Sequence, residues 1–303
     1  MPPQITVVPA STKAGRETIR ELLRSESKPQ IRAIYRDISK APAEFIQQPN
    51  FEAVTGDVGT GSGIDFSGSD VVFYIPPPIY DGTDEGEWAN RTATNVKNAI
   101  RDAPSVKRLL LFSAIGSQNG HGIGILRLNH ISETILKDAV PEVLVVRPSY
   151  FQEDFGRLLE AAQADPPVIH SWITPVDYKI PMVSLKDISD CCAKFLLGEE
   201  SPIKSGSSPG YLKLFGPRSY SSIDLQNAVK EVTGKDVGLK AIEKDQLYEF
   251  FANEIPEKYV QEFVDMTTAG LPGGIIAEDF VYDGDTFRGR VELVDTLRQL
   301  YAK

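Results

Sequence analysis

Residues 5–19 read Ile-Thr-Val-Val-Pro-Ala-Ser-Thr-Lys-Ala-Gly-Arg-Glu-Thr-Ile: a β-branched apolar run, a turn, and the start of an amphipathic helix. In a dinucleotide-binding Gly-x-x-Gly-x-x-Gly turn, the first glycine makes the tight bend. The second lets the backbone approach a pyrophosphate, and the third lets helix and strand pack closely. Here those places hold Pro9, Thr12 and Gly15. Only the packing glycine remains, so the fold signal is stronger than the phosphate signal. A strand that feeds directly into a helix commits the chain to crossover connections, and these build parallel sheets.

The rest of the first half keeps that rhythm. Apolar runs bounded by turn residues occur at Ile5–Val8, Ile31–Tyr35, Phe51–Val54, Val71–Ile75, Leu109–Phe112 and Val143–Val146. Arg16–Leu23 and Trp88–Ile100 show helical spacing between them. Nearly unbroken apolar strands describe a parallel sheet covered on both faces. The expected fold is a doubly wound, Rossmann-like α/β domain over residues 1–155, followed by a smaller α/β lobe over 156–303. In that lobe, helices are expected near Leu185–Leu197, Ser222–Thr233, Asp245–Phe251, Glu257–Thr268 and Arg290–Tyr301. Short strands are expected at Tyr211–Phe215 and Val237–Ile242, and Pro181–Ser184 followed by Asp187 reads as a strand feeding a helix. Ser221 and Ser222 are candidate helix caps. Glu199–Gly210, rich in Ser, Pro and Gly, reads as a surface loop.

A formal net charge of −10 opposes a nucleic-acid surface, which needs clustered Lys and Arg. No stretch approaches the roughly 20 apolar residues of a membrane span, and Met1-Pro2-Pro3-Gln4 shows no signal-peptide pattern. Cys191 and Cys192 are adjacent in a helical stretch, where packing is the expected role. Two thiols without a framework fit a reducing, cytoplasmic compartment. No metal site is expected.

The strand ends carry the functional signal. Lys13 and the amides of Thr12 to Gly15 lie where a helix N-terminus meets a phosphate. At the end of the second strand, Arg36, with Lys40 behind it, favours the 2′-phosphate of NADP over the ribose hydroxyl of NAD. Gly56-Asp57-Val58 follows the third strand beside an adenine's path, and Pro76-Pro77-Pro78 makes a rigid wall after the fourth. Ser113-Ala114 ends the fifth, and Arg147-Pro148-Ser149-Tyr150-Phe151 after the sixth is expected to close over a nicotinamide end.

These stretches, with Asn95–Ala99 and Ile180–Ser184 followed by Asp187-Ile188, resemble the NmrA-like family of atypical short-chain dehydrogenases/reductases. The segment His121–Glu133 further resembles fungal members of averufin-oxidase-like type, associated with aromatic polyketides. The resemblance covers nearly the whole chain. It implies either an NADP-dependent reductase or a regulator that binds the dinucleotide without turnover, and it puts Thr12, Lys13, Arg36, Lys40 and Asp57 on cofactor-contacting positions.

Short-chain reductases use a Tyr-x-x-x-Lys pair on the helix after the fifth strand, the lysine lowering the pKa of the proton-donating tyrosine. The matching positions here are Ile125 and Asn129. Isoleucine transfers no proton. Asn129 carries no charge but can still hydrogen-bond a ribose. An acid/base group must then come from elsewhere, and the candidates are His121 in a glycine-flanked loop, Tyr150, and Ser113 beside the nicotinamide. His130 reads as a packing residue and Glu133 as a structural carboxylate, while His170 is a candidate for the mouth of the lobe. Tyr80, Trp88, Tyr150, Phe151 and Trp172 are candidate walls of an aromatic-substrate pocket. The residues leave three readings open. They are an NADP-dependent oxidoreductase acting on an aromatic or polyketide-derived molecule, a dinucleotide-sensing regulator with a protein partner, and a cofactor-free isomerase or cyclase.

Overall fold

The computed structural model describes residues 2–199 and 208–302. The strands are β1 (Gln4–Val8), β2 (Gln30–Tyr35), β3 (Phe51–Thr55), β4 (Val71–Tyr74), β5 (Arg108–Phe112), β6 (Glu142–Pro148) and β7 (Tyr150–Phe151). They continue as β8 (Val168–Ser171), β9 (Ile180–Val183), β10 (Gly210–Phe215), β11 (Ser219–Tyr220), β12 (Gly238–Ala241) and β13 (Thr286–Arg288). The helices are α1 (Lys13–Arg24), α2 (Ala43–Ile46), α3 (Glu85–Arg101), α4 (Arg127–Leu136) and α5 (Leu158–Ala161). After these come α6 (Leu185–Leu197), α7 (Ser222–Thr233), α8 (Leu247–Ala252), α9 (Glu257–Ala269) and α10 (Leu293–Tyr301).

The central sheet has the strand order β13-β10-β6-β5-β4-β1-β2-β3. Adjacent pairs from β6 through β3 run parallel, so their carboxyl ends share one edge. The order reverses between β1 and β4, the switch point where doubly wound sheets open a crevice. The expected doubly wound sheet is therefore present. Its strands are as apolar as their sequences suggest: Val71, Val72, Phe73 and Tyr74 of β4 are all fully buried.

Two compact units share the chain. The first comprises Met1–Ser117, Arg127–Arg147 and Ile188–Leu212; the second comprises Gln118–Leu126, Pro148–Asp187 and Lys213–Lys303. Both are discontinuous, so a single cut at residue 155 does not reproduce them. Tyr211–Phe215 lies within β10, which joins the central sheet next to β6. A parallel strand is recruited through space, and nothing in its own residues names its neighbour.

Local chemistry explains the helices that matter. In α1, Ala14, Gly15, Thr18, Ile19 and Leu22 turn one stripe inward, and Thr12 caps the N-terminus. Burying Ile19 and Leu22 stabilises the fold by roughly 1.5–3 kcal/mol each. In the second unit, α7 begins with a capping box in which Ser221 and Asp224 satisfy each other's orphan amides. It ends at Gly234 in the left-handed region, φ +70°. The core of that unit gathers Phe155, Ile169, Ile173, Met182, Leu225 and Leu297. Cys191 and Cys192 are both buried in α6 and form no disulfide. Burial drives the Cys192 thiol well above its ordinary pKa, which leaves it an inert packing group. Among the described residues, no helix is long and apolar enough to cross a membrane. Residues 200–207 of the expected surface loop lie outside the described residues.

Candidate functional site

At the carboxyl edge of the first unit's sheet, the turn after β1 is closed by its own atoms. The Thr12 hydroxyl accepts from the Gly15 amide at 3.0 Å and donates to the Pro9 carbonyl at 3.2 Å. That hydroxyl is engaged in both directions, so what Thr12 presents outward is its Cβ and methyl. A Cβ on Gly15 would lie 2.8 Å from Thr12 Oγ1 and 3.1 Å from both Ile75 Cδ1 and the Pro9 carbonyl. Gly15 is the packing glycine in fact, seated beneath the switch point. Thr12→Gly is expected to cost α1 only a few tenths of a kcal/mol, since glycine is a tolerated cap. The same change removes the Cβ that crowds an incoming phosphate, so calorimetry with NADPH should show tighter binding.

After β2, Arg36 is exposed and has no hydrogen-bond or ion-pair partner among the described residues. Asp37 beside it is turned away to cap the turn Ile38–Lys40, accepting from the Ser39 amide at 3.0 Å and hydroxyl at 2.7 Å. Those bonds hold its carboxyl below the usual range. Lys40 is exposed and close enough to Asp37 to reinforce that shift. Lys13 is exposed at the first position of α1. After β3, Asp57 Oδ1 accepts from the Gly59 amide at 2.8 Å, which shapes the loop more than it offers a free carboxylate. Asn95 of α3 ties down the same loop by donating to the Val58 carbonyl at 2.9 Å. Trp88 packs against Gly59 and donates its indole N–H to Pro77 at 2.7 Å. It belongs to the first unit's loop wall, which corrects its expected grouping with Tyr150 and Trp172. Tyr80, also expected in that wall, is 51% exposed.

The end of β5 carries a buried polar cluster. Ser113 donates to Glu133 Oε1 at 2.5 Å. Arg147 grips the same carboxylate through Nε at 3.0 Å and Nη2 at 2.5 Å. The Tyr211 ring covers the other side of the Arg147 guanidinium at 4.3 Å. The side chains of Arg147 and Glu133 are 13% and 7% exposed, so this is a buried pair with a fork geometry. Because its proton points to Glu133, Ser113 offers any ligand a hydrogen-bond acceptor. Arg147, expected to help close over a cofactor, is instead committed to this cluster. Asn129 lies half-buried on α4 nearby in sequence, and Ile125 sits on a short 3-10 turn in the second unit.

The second unit holds His121, Tyr150 and an aromatic cavity of about 260 Å³. Tyr150, Phe155, Trp172, Phe251 and Phe263 line it, with Met266 from α9. Trp172 stands 5.2 Å from Tyr150 and 6.2 Å from Phe155, ring centre to ring centre. Burial, reinforced by Tyr178, pushes the Tyr150 phenol far above its ordinary pKa. That is the reverse of what a partner lysine does, so Tyr150 keeps its proton. His121 is exposed at the tip of the segment 118–126. That segment is clamped on both sides of the tip: Gln118 bonds Asp279, and Gly124, φ +53°, abuts α9 so closely that a Cβ would strike the Glu262 carbonyl. His130 Nδ1 pairs with the Ser117 carbonyl at 2.9 Å. His170, expected at the mouth of the lobe, lies exposed on β8 and is not among the cavity's lining residues.

The sequence reading missed the Ser113–Glu133–Arg147 cluster and the contribution of α8 and α9 to the cavity. An arginine ending an otherwise apolar β6 was the available hint of a buried carboxylate partner. The aromatic spacing Phe250-Phe251 and Phe263 carried no signal beyond packing.

No protein-family model and no curated protein sequence matches the chain. Solved structures do. Citrobacter sp. triphenylmethane reductase, in its complex with NADP(H), superposes with a TM-score of 0.76 at 19% identity, covering 98% of this chain and 99% of that one. An NADPH-dependent quinone oxidoreductase from Escherichia coli, complexed with NADPH, gives 0.70 at 16% identity over 99% and 94%. NmrA, a negative transcriptional regulator, gives 0.63 at 14% identity over 80% and 75%. At these identities the likeness establishes a shared fold: the chain has the Rossmann-like α/β architecture of NAD(P)-binding reductases and of the NmrA regulator.

Proposed function

We propose that the chain is an NADP(H)-binding oxidoreductase of the atypical short-chain type, acting on an aromatic, polyketide-derived small molecule of the kind made in fungal secondary metabolism. The observation that carries this reading is Arg36, exposed and without a partner at the end of β2, one strand away from the capped N-terminus of α1. Lys13 and the α1 amides would hold the pyrophosphate, Arg36 with Lys40 the 2′-phosphate, and the Asp57 loop the adenine side. Asn129 would hydrogen-bond a ribose. These residues fit the group: the helix N-terminus is free of acidic side chains in its first turn, and the anion-binding charges are exposed. The complexes of two structural neighbours with NADP(H) and NADPH support the cofactor assignment.

When bound, the dinucleotide supplies or accepts a hydride; the chain must supply the rest. In this reading the aromatic cavity of the second unit holds the substrate's rings and Tyr150 donates a hydrogen bond there. His121 is the candidate for proton exchange. A second reading, dinucleotide binding without turnover, draws on Ile125 and Asn129 at the positions of the usual catalytic pair and on the NmrA likeness.

Titration with NADPH and NADH tests the proposal. Arg36→Ala is expected to weaken NADPH at least tenfold and to spare NADH, since a charge-assisted contact contributes about 1.5–3 kcal/mol. Equal affinity of the unmutated protein for the two cofactors overturns it. Tight NADPH binding without NADPH consumption, across a panel of quinones and aromatic ketones, moves the protein to the second reading.

A further inference from the structure

Arg36 and Asp37 stand side by side just after β2 and carry opposite meanings. Where the second strand of a dinucleotide fold meets the adenosine ribose, an acidic side chain takes the 2′-hydroxyl of NAD. An arginine there takes the 2′-phosphate of NADP. Asp37 lies about 20 residues beyond Gly15, the spacing of the acidic determinant. Both determinants are therefore present, and the direction of one carboxylate decides whether they compete.

That direction is set by Ser39. It donates its amide at 3.0 Å and its hydroxyl at 2.7 Å to the same oxygen, Asp37 Oδ1. The amide bond is the ordinary cap of the turn Ile38–Lys40, whereas the hydroxyl bond is an addition that alanine in that place would lack. The Ser39 hydroxyl first, and its amide second, keep the Asp37 carboxyl below its usual range, so the group is ionised while it is held. Arg36 through Lys40 are all exposed, so hydrogen bonds rather than packing choose where this side chain points.

Resting on the reading above that this strand end receives the adenosine ribose, we infer that Ser39 governs the choice of cofactor without touching it. By tying the Asp37 carboxylate to the turn, the Ser39 hydroxyl silences the NAD-type determinant and leaves Arg36 to act alone. A released carboxylate would have two effects at the ribose. It would repel a 2′-phosphate, and it would accept a hydrogen bond from a 2′-hydroxyl. Both lower the preference for NADPH over NADH. Ser39 is thus a positioning residue that acts through Asp37.

Fluorescence titration of the full chain with NADPH and with NADH tests this in four variants. Ser39→Ala is expected to weaken NADPH about threefold and to tighten NADH about twofold, the size of one screened charge and one hydrogen bond in competition with water. Ser39→Thr keeps the hydroxyl and should keep the native ratio. Asp37→Asn removes the charge that Ser39 controls. In that background Ser39→Ala should change the ratio by less than about 1.5-fold, the signature of two residues acting as one unit. A second readout needs no cofactor: in a carboxyl-carbon NMR titration, Ser39→Ala should raise the Asp37 pKa towards its ordinary value, and Ser39→Thr should not. All substituted positions are exposed, so the variants are expected to fold. An unchanged ratio in Ser39→Ala overturns the inference, as does an equal change in the Asp37→Asn background or an Asp37 pKa that ignores Ser39→Ala. In each of those outcomes a native preference for NADPH leaves the proposed function standing. A native protein without that preference overturns both.

Discussion

Glu133→Ala should destabilise the protein by about 3–5 kcal/mol, the typical consequence of leaving one half of a buried ion pair behind. The variant strands the Arg147 guanidinium between the Tyr211 ring and an empty site, and it deprives the Ser113 hydroxyl of its acceptor. Chemical denaturation followed by circular dichroism would show the midpoint falling with little change in slope. Adding Arg147→Met should recover much of the loss, because replacing both charges with apolar groups removes the desolvation problem instead of exposing it. If Glu133→Ala alone is near neutral, the cluster is hydrated in solution and the pair contributes like a surface contact.

The second large effect is expected at Asp187. Its buried carboxylate accepts from the Ser184 hydroxyl at 3.0 Å, the Arg290 amide at 3.1 Å and the Val291 amide at 3.0 Å. Bonds to a charged acceptor contribute about 1.5–3 kcal/mol each and are not additive, so Asp187→Ala should cost about 4 kcal/mol. The chain entering α10 would lose its anchor, and amide exchange in 289–297 should accelerate by several orders of magnitude. Asp187→Asn should fall between, because one face of the amide presents a donor to backbone donors. Unchanged exchange in that segment in the alanine variant would show that packing of Leu293 and Leu297 alone secures it.

How legible all this was depends on the range of the interaction. The inner strands of the first unit were readable to within a residue or two because burial on both faces writes an apolar run, and the edge strand β3, part-buried, was readable from its Phe51 to Val54 stretch. Ser222–Thr233 was readable because its cap, Ser221, and its terminating Gly234 are local devices. The capped turn at Thr12 was visible as a motif, but not that its hydroxyl would be spent on Pro9 and Gly15. The pairing of β10 with β6 and the grouping of Trp172 with Phe251 and Phe263 join residues far apart in sequence, and the Glu133–Arg147 pair joins a helix to the strand that follows it. No periodicity encodes such partners. Trp88 shows the cost: its aromatic character suggested a pocket wall, while its position put it against Gly59.

The place of β10 in the central sheet also sets a timetable. β6 is complete at Pro148, but the strand that covers its outer edge begins only at Gly210, about 60 residues later. At a synthesis rate of roughly 5–20 residues per second, that edge waits some seconds for its partner as the chain is made. For that interval Val143–Val146 offers unpaired backbone groups along a fully apolar strand, the arrangement that recruits foreign strands. A chain ending between the two strands should therefore aggregate readily, whereas one extending through β13 should remain dispersed. The demand on chaperones is greatest in the middle of translation and falls once the late strands arrive.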